Sequence, residues 1–261
     1  MLKVDLNSDL GEGFGNYYIG NDDKVLDYVS SVNIACGFHA GDPLVMEKTV
    51  KMAMEKEVAI GAHPGFPDLM GFGRRVMNIS HEEARAYMIY QLGALKGFVE
   101  SYGANIQHVK PHGALYNMAT KDYELAKTLA RAVYDVDKDL IFMGLSGSIM
   151  IKAAEDVGLK TANEFFADRG YNPDGTLVSR SNPGAMIHET DKCVQRVLHM
   201  IREGKVKAID GTDVSLKVDS VCVHGDNIKA IEFTKVLREK LQREGVDIMS
   251  LKPIRELVNN G

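Results

Sequence analysis

Seven short β-rich segments alternate with amphipathic helical segments along the whole chain. Parallel strands joined by crossover helices are buried on both faces, which explains why these segments are apolar almost without interruption. The predicted strands are Leu2–Asn7, Val32–Phe38, Val58–His63, Ile106–Lys110, Leu140–Leu145, Lys160–Phe165 and Ser220–His224. The alternation predicts an α/β protein, and its regular repetition favours a barrel of parallel strands surrounded by helices.

Helix boundaries follow from capping residues. Ser80 and Glu83 have the spacing of a capping box at the start of a helix over His81–Tyr102, and Asp42-Pro43 is an N-cap followed by proline for a helix that ends near Lys56. Three further helices are predicted to stop at glycines: Gly158, Gly204 and Gly245. Each of them lies where a helix should stop before the next strand.

Composition excludes several classes of protein. The 261 residues include 31 Lys and Arg against 36 Asp and Glu, and no cluster of cations suits a polyanion, so we expect no nucleic-acid partner. No Pro/Ser-rich linker divides the chain, which predicts one barrel domain over residues 1–261. The longest uncharged apolar stretch, Leu140–Ile151, is too short to span a bilayer, so no membrane association is expected.

Cysteine usage and the amino terminus indicate the compartment. Cys36, Cys193 and Cys222 are widely spaced and lack a CxxC pairing, which argues against a disulfide framework and a cysteine zinc site. Cys36 and Cys222 lie within predicted strands, where a buried thiol is more common than a nucleophile. The first residues show no secretion signal. We therefore expect a cytoplasmic protein.

The first predicted strand carries polar residues on one side. The period of a strand places Asp5, Asn7 and Asp9 on a single face, and a barrel would turn that face towards its centre. Buried polar groups are costly unless they bind one another or a ligand. A loop of turn-forming residues is the alternative, but polar residues at barrel strand ends favour a functional site.

Four histidines follow predicted strands in equivalent places. They are His39, His63, His112 and His224. Together with Asp9 they suit a divalent metal, and they suit general acid-base chemistry equally well, because no tight ligand pair such as HExxH separates the two. The other histidines occupy helix starts, a strand start or mid-helix, and are interpreted as structural: His81, His108, His188 and His199.

Two long loops, Gly65–Ile79 and Arg169–Ile187, follow predicted strands and should lie at the carboxyl-terminal face of the barrel, where barrel enzymes keep their chemistry. They carry Arg74 and Arg169, which suit a carboxylate or phosphate group, and Lys110 precedes His112 by two residues. These cations predict an anion-binding pocket. No GxxxxGK[ST], GxGxxG or GxSxG motif is present, which excludes a P-loop, a dinucleotide fingerprint and a serine-hydrolase elbow.

Five segments, in order, resemble the LamB/YcsF family. They are Asp5–Glu12 (DLNSDLGE), Asn33–Pro43 (NIACGFHAGDP), Gly61–Asp68 (GAHPGFPD), Val109–Tyr116 (VKPHGALY) and Val223–Asp226 (VHGD). The resemblance extends over nearly the whole chain. It implies a distorted seven-stranded β/α barrel of the glycoside hydrolase and deacetylase type.

The resemblance also implies an activity. Members of the family are described as the A component of an ATP-hydrolysing 5-oxoprolinase, which opens 5-oxoproline to glutamate together with subunits B and C. It implies ATP, with Mg²⁺, as the cofactor. The implied catalytic residues are Asp9, Glu12, Lys110 and His112. The implied substrate- or phosphate-binding residues are Asn7, Arg74, Arg169, His224 and Asp226.

Two other interpretations stay open. In the first, Asp9, His39 and His63 bind a divalent transition metal, and the protein removes N-acetyl groups from carbohydrate, as the fold relationship would allow. In the second, the chain is a non-catalytic substrate-binding subunit whose partners hold the reactive groups. The sequence is also compatible with a homo-oligomer.

Overall fold

The computed structural model describes residues 2–187, 189–223 and 228–252. Seven parallel strands close into a barrel in the order β1-β2-β3-β4-β5-β6-β9, and β9 pairs back with β1. The ten strands of the described chain are β1 (Leu2–Leu10), β2 (Ser31–Ala35), β3 (Ala59–His63), β4 (Ile106–Val109), β5 (Ile141–Leu145), β6 (Lys160–Phe166), β7 (Lys205–Lys207), β8 (Asp213–Ser215), β9 (Ser220–Cys222) and β10 (Val246–Ile248). The predicted seven-stranded α/β barrel is confirmed.

Helices connect these strands outside the barrel. They are α1 (Asp22–Val25), α2 (Pro43–Glu55), α3 (His81–Ser101), α4 (Gly113–Ala119), α5 (Tyr123–Val136), α6 (Ile149–Val157), α7 (Thr190–Glu203) and α8 (Ile228–Arg243). Among the described residues, no helix combines the length and the apolar character needed to cross a membrane. Buried apolar side chains fill the layer between the helices and the barrel.

The predicted caps are present. The Ser80 hydroxyl accepts from the Glu83 amide at 3.1 Å, and the Glu83 carboxylate accepts from the Ser80 amide at 2.7 Å, so the capping box is complete. The Asp42 carboxylate accepts from the amides that begin α2. Gly158 and Gly204 follow their helices with left-handed φ angles of 97° and 63°, as predicted.

The structure differs from the sequence prediction in strand bounds and in three short strands. The first strand continues past its predicted end at Asn7 to Leu10. The second strand ends at Ala35, not at Phe38, because Gly37 turns the chain with a φ of 87° and its amide donates to the Ala40 carbonyl. The hairpin of β7 and β8 and the short strand β10 lack a long apolar run and were not predicted. β10 finds a partner because β1 extends to Leu10 and pairs with β10, β9 and β2 in succession.

Polar side chains occupy the interior of the barrel. They extend across it from opposite strands, since Lys110, just after β4, reaches Asp9 on β1 and Glu164 on β6. Barrel interiors are commonly filled by apolar side chains, so a buried polar column is the unusual feature of this fold. The column positions the groups described below.

Candidate functional site

The lowest layer of the column is a carboxylate surrounded by hydroxyls. Asp5 is fully buried, as predicted, and accepts hydrogen bonds from Ser30, at 2.6 Å, and from Ser31 and Ser220. Burial raises the pKa of Asp5 to about 6, although the three hydroxyls act in the opposite direction. Within the described ranges, the hydrogen-bond partners of this carboxylate are therefore neutral groups.

The middle layer is a chain of amides and one imidazole. The side-chain amide of Asn33 donates to Asn7 and to Asp9, each at 2.8 Å, and His108 donates through Nε2 to Asn33 Oδ1 at 2.7 Å. Gly61 makes room for that ring, because a Cβ there would lie 2.1 Å from His108 Nε2. His108 therefore lies within the column, and its hydrogen bond suits the structural interpretation made from the sequence.

Lys110 occupies the next layer and joins two carboxylates. Its Nζ lies 3.0 Å from Asp9 Oδ1 and 2.7 Å from Glu164 Oε1, and the Tyr116 hydroxyl donates to Glu164 Oε2 at 2.7 Å. Burial by itself would lower the pKa of Lys110, but the carboxylates of Asp9 and Glu164 outweigh it and raise that pKa well above its ordinary value. The ammonium group is therefore charged although it is buried.

Asp9 forms the link from Lys110 to the histidines. Its Oδ2 lies 3.3 Å from His63 Nε2, and its side chain is 21% exposed. Burial opposes its ionisation, but the neighbouring His63 and Lys110 favour the ionised form and hold the pKa of Asp9 well below its usual range. Asp9 is thus an ionised carboxylate within reach of a bound molecule.

Three histidine rings and Glu12 gather above Asp9. His112 Nδ1 lies 2.9 Å from His63 Nε2 and 3.7 Å from Glu12 Oε1, while His39 Nε2 lies 3.3 Å from the same Glu12 oxygen. Burial lowers the pKa of His112 to about 3 and that of His39 well below its ordinary value. The rings of His112 and His39 are therefore neutral at physiological pH.

Glycines allow the rings to pack this closely. Gly73 has a φ of 63°, and a Cβ there would lie 2.7 Å from His39 Cβ and 2.8 Å from His112 Cδ2. Its carbonyl accepts from the Ala114 amide, which ties the loop over 65–79 to the start of α4. The loop thus closes the side of the histidine cluster and contributes the Phe72 carbonyl that accepts from His112 at 2.8 Å.

A pocket of about 550 Å³ opens above these groups. Its floor is formed by Asp9, His63, Lys110 and His112, and Arg74 and Arg180 are among the residues of its wall. Such a volume suits a small polar molecule with room for a phosphoryl group. The floor combines an anionic carboxylate, imidazoles and a cationic ammonium group, and the wall carries exposed guanidinium groups.

The two predicted arginines are held differently. Arg74 is exposed, and its guanidinium lies 5.0 Å from the centre of the Phe72 ring. Arg169 is only 7% exposed and donates to the carbonyls of Val178, at 2.7 Å, and Ala185, at 3.2 Å. Arg169 lines the pocket, but much of its hydrogen-bonding capacity holds its own loop together.

Most of the predicted site residues meet in this one place. The structure brings together Asn7, Asp9, Glu12, His39, His63, Lys110 and His112. Arg74 and Arg169 stand at the pocket wall, and His224 and Asp226 lie outside the described residues. The residues whose metal-ligand atoms converge are Glu12, His39, His63 and His112. Two of them, His39 and His63, belong to the metal set predicted from the sequence, and Glu12 and His112 are new members.

Sequence reasoning missed Glu164, Tyr116, Asn33 and Arg180. An acidic residue inside the buried segment Lys160–Phe165 was the available signal for Glu164, because an unpaired carboxylate is rarely buried. Nothing in the sequence distinguished Arg180 from other loop arginines, since only the folded loop brings it to the pocket.

Comparisons with known proteins agree with this architecture. The model of the LamB/YcsF family matches residues 4–256. A protein of Alkaliphilus metalliredigens, named as the A component of 5-oxoprolinase, is 59% identical over 251 residues, which are 96% of this chain and 98% of that protein.

Solved structures add the fold. A lactam utilization protein from Thermus thermophilus superposes with a TM-score of 0.91 at 43% identity, over 95% of this chain and 99% of the other. The peptidoglycan deacetylase PdaC of Bacillus subtilis shares the barrel with a TM-score of 0.50 at 10% identity, over 99% of this chain and 92% of the other. From the family match and the near full-length identity, the chain belongs to the LamB/YcsF family.

Proposed function

We propose that this chain opens the lactam ring of 5-oxoproline to give glutamate, as the A component of an ATP-dependent 5-oxoprolinase that also contains subunits B and C. The name carried by its relatives supports the substrate and the assembly. The observation that supports the chemistry is the charged Lys110 between Asp9 and Glu164 at the floor of the pocket. An ammonium beside an ionised carboxylate suits the hydrolysis of a polarised carbonyl group.

The proposed reaction overcomes the stability of a five-membered amide. The lactam oxygen receives the γ-phosphoryl group of ATP, which makes the carbonyl carbon susceptible to water. Water then adds to that carbon, the carbon–nitrogen bond breaks, and the ring nitrogen takes a proton and leaves as the amine, which gives γ-glutamyl phosphate. A second water molecule hydrolyses this acyl phosphate to glutamate and phosphate. Mg²⁺ accompanies ATP in this scheme, as phosphoryl transfer requires cations around the phosphates.

Each group on the floor has a task in this scheme. Lys110 holds the lactam oxygen or its phosphoryl group by charge, and Asp9 takes a proton from the attacking water. Asp9 returns that proton to the ring nitrogen, and His63 and His112, 2.9 Å apart, assist binding beside it. Glu12 contacts His112 and His39 and keeps those two rings in place.

The arginines of the pocket wall suit the anionic parts of the substrate. Arg74 and Arg180 are exposed and line the pocket, so their planar guanidinium groups can bind the 5-oxoproline carboxylate or the phosphoryl oxygens. Arg169 contributes mainly by holding the loop that carries Arg180, through its bonds to the Val178 and Ala185 carbonyls.

The test is Asp9→Asn in the assembly with subunits B and C, supplied with ATP, Mg²⁺ and 5-oxoproline. We expect glutamate release to fall at least about 100-fold, because a positioned base typically contributes that much. Glutamate and ADP are measured in parallel. Asp139→Asn, at an exposed position, is the matched control and should leave both rates unchanged.

Undiminished glutamate release by folded Asp9→Asn would remove Asp9 from the reaction. If no combination of subunits forms glutamate or lactam-dependent ADP, the proposal fails, and acetate release from N-acetylated carbohydrate becomes the assay of choice. If variants of the partner subunits abolish glutamate release while every pocket variant of this chain is active, the chain is a substrate-binding subunit.

A further inference from the structure

The protonation of two histidines is fixed by backbone carbonyls. His63 Nδ1 lies 2.7 Å from the Lys110 carbonyl oxygen, and His112 Nε2 lies 2.8 Å from the Phe72 carbonyl oxygen. A carbonyl oxygen only accepts, so each of these two nitrogens carries a hydrogen. In neutral rings the opposite nitrogens, His63 Nε2 and His112 Nδ1, therefore present lone pairs.

Those two lone pairs face each other. His63 Nε2 and His112 Nδ1 are 2.9 Å apart, which is a hydrogen-bond distance without a hydrogen to share. Carboxylates surround the pair, since Asp9 Oδ2 lies 3.3 Å from His63 Nε2 and Glu12 Oε1 lies 3.7 Å from His112 Nδ1. Two facing lone pairs flanked by two carboxylates require a positive charge among them.

We propose that His63 Nε2, His112 Nδ1 and the Glu12 carboxylate bind one divalent metal ion of the zinc class, with Asp9 Oδ2 beside His63 as a fourth oxygen. Imidazole nitrogen and carboxylate oxygen are ligands that zinc prefers. Ligands that lie 2.0–2.1 Å from tetrahedral zinc are about 3.3 Å from one another. The separations of 2.9 Å, 3.3 Å and 3.7 Å found here bracket that value.

The hydrogen bonds of His63 and His112 to backbone carbonyls also support a metal site directly. Histidines that bind a metal usually donate their other nitrogen to a carboxylate or a backbone carbonyl, which fixes the ring and makes the ligand nitrogen more basic. His63 and His112 both have this arrangement, through Lys110 and Phe72. Two histidines with outer partners and convergent inner nitrogens are the expected design of a metal site.

His39 is a supporting residue and not a ligand. Its ring is parallel to that of His112, with an angle of 4° between the planes and 3.6 Å between the centres. A metal lies in the plane of the imidazole that binds it, so one ion cannot lie in both planes. Nε2 of His39 instead contacts Glu12 Oε1 at 3.3 Å and orients that carboxylate towards the ion. The metal set suggested by the sequence, Asp9, His39 and His63, changes accordingly.

The test uses the metal alone, so its result is independent of the proposed lactam reaction. Protein purified without a metal-affinity tag is treated with a chelator and titrated with Zn²⁺ by calorimetry, and Co²⁺ is added separately as an absorption probe. We expect one ion per chain and a visible Co²⁺ spectrum typical of nitrogen and oxygen ligands. A bound ion would supply Lewis-acid polarisation or an activated water to the pocket.

Two variants locate the site, and one serves as control. His112→Asn and the isosteric Glu12→Gln should each weaken Zn²⁺ binding by more than about 100-fold, because even the loss of an outer partner costs about 10- to 100-fold. His81→Gln, at the exposed start of α3, should bind as the unaltered protein does. Circular dichroism confirms that each variant is folded.

Two results would overturn the proposal. One is a chelator-treated protein that takes up no stoichiometric ion, or variants that bind it unchanged. The other is a nitrogen NMR spectrum in which one of the two rings stays doubly protonated with and without Zn²⁺, since a shared proton would then supply the positive charge.

Discussion

Asp5 and Asp9 lie on the same strand and the same face, yet the protein gives them opposite properties. Asp5 is fully buried among the hydroxyls of Ser30, Ser31 and Ser220, and burial raises its pKa to about 6. Asp9, at the upper end of the column, is partly exposed to the pocket, and its pKa lies well below the usual range. Neutral hydroxyls only partly compensate the burial of Asp5, whereas His63 and the ammonium group of Lys110 together reverse the effect of burial on Asp9.

The difference separates two roles within one polar column. Asp5, which is held by hydroxyls and closed off from the pocket, fills the bottom of the barrel and crosslinks strands through the serines. Asp9, which is paired with Lys110 at the pocket floor, stays ionised and is available to a water molecule or a cation. When the surroundings of two like residues shift their pKa values in opposite directions, the residues can have different roles. Here Asp5 has a structural role and Asp9 a chemical one.

The largest effect is expected from removing the cation. In Lys110→Met, Asp9 and Glu164 lose their shared partner, and breaking a buried ion pair from one side costs about 3–5 kcal/mol. We expect the free energy of unfolding at pH 7 to fall by about that amount, measured with denaturant. Lys160→Met, at an exposed position in β6, is the control and should change it little.

A second substitution tests the cause. Adding Glu164→Gln to Lys110→Met removes one of the uncompensated charges while the amide oxygen can still accept from Tyr116. Part of the lost stability should return. If the double variant is as unstable as Lys110→Met, packing and not charge explains the loss, and the contrast between Asp5 and Asp9 would not depend on Lys110.

Asp5 gives the next largest effect, and it depends on pH. Its pKa is raised from 3.8 to about 6 in the folded state, so the folded protein binds the proton more tightly than the unfolded chain does. The contribution of Asp5 to stability is therefore greatest at low pH and is lost as the pH rises between these two values. At about 1.36 kcal/mol per pKa unit, the loss is at most about 3 kcal/mol.

Asp5→Asn lacks this titration. The difference in free energy of unfolding between Asp5→Asn and the unaltered protein should shift in favour of the variant by up to about 3 kcal/mol as the pH rises from about 4 to about 6. Asp139→Asn, which changes an exposed carboxylate, should show no such shift. A difference that is flat with pH would mean that the serine hydroxyls compensate the buried charge completely.

The fold was largely predictable from the sequence because strand and helix periods differ. All seven barrel strands were located, and the capping box at Ser80 gave the start of α3. Three-residue strands such as β10 were not predicted, because they are too short to show a period. β10 forms because the first residues of β1 offer it an edge. Gly37 ended the second strand early through a backbone conformation that the residue type permits but does not require.

The site was predictable where a residue followed its strand directly. His63 and His112 were placed by their position at strand ends, and Asp9 by its alternation with Asp5 and Asn7. Glu164, the second carboxylate partner of Lys110, was not predicted, because it contacts Lys110 only across the closed barrel. Spacing also left open which histidines point together, since His39 reaches the cluster through a turn and then stacks on His112.

The smallest effect is expected from one hydroxyl at the bottom of the column. Ser220 donates to Asp5 and accepts from the Asn7 amide at 2.8 Å, so Ser220→Ala removes a hydrogen bond to a carboxylate and leaves a buried amide without that acceptor. We expect a loss of about 1–2 kcal/mol at pH 7 by denaturant unfolding, against little loss for the exposed Ser101→Ala. Because the hydroxyl favours the ionised form of Asp5, its removal raises the folded pKa further, and the loss should shrink at pH 4, where Asp5 is protonated. A loss that is equal at both pH values would show that Ser220 acts through Asn7 and not through the charge of Asp5. The electrostatic contrast between Asp5 and Asp9 would then be smaller than their pKa values indicate.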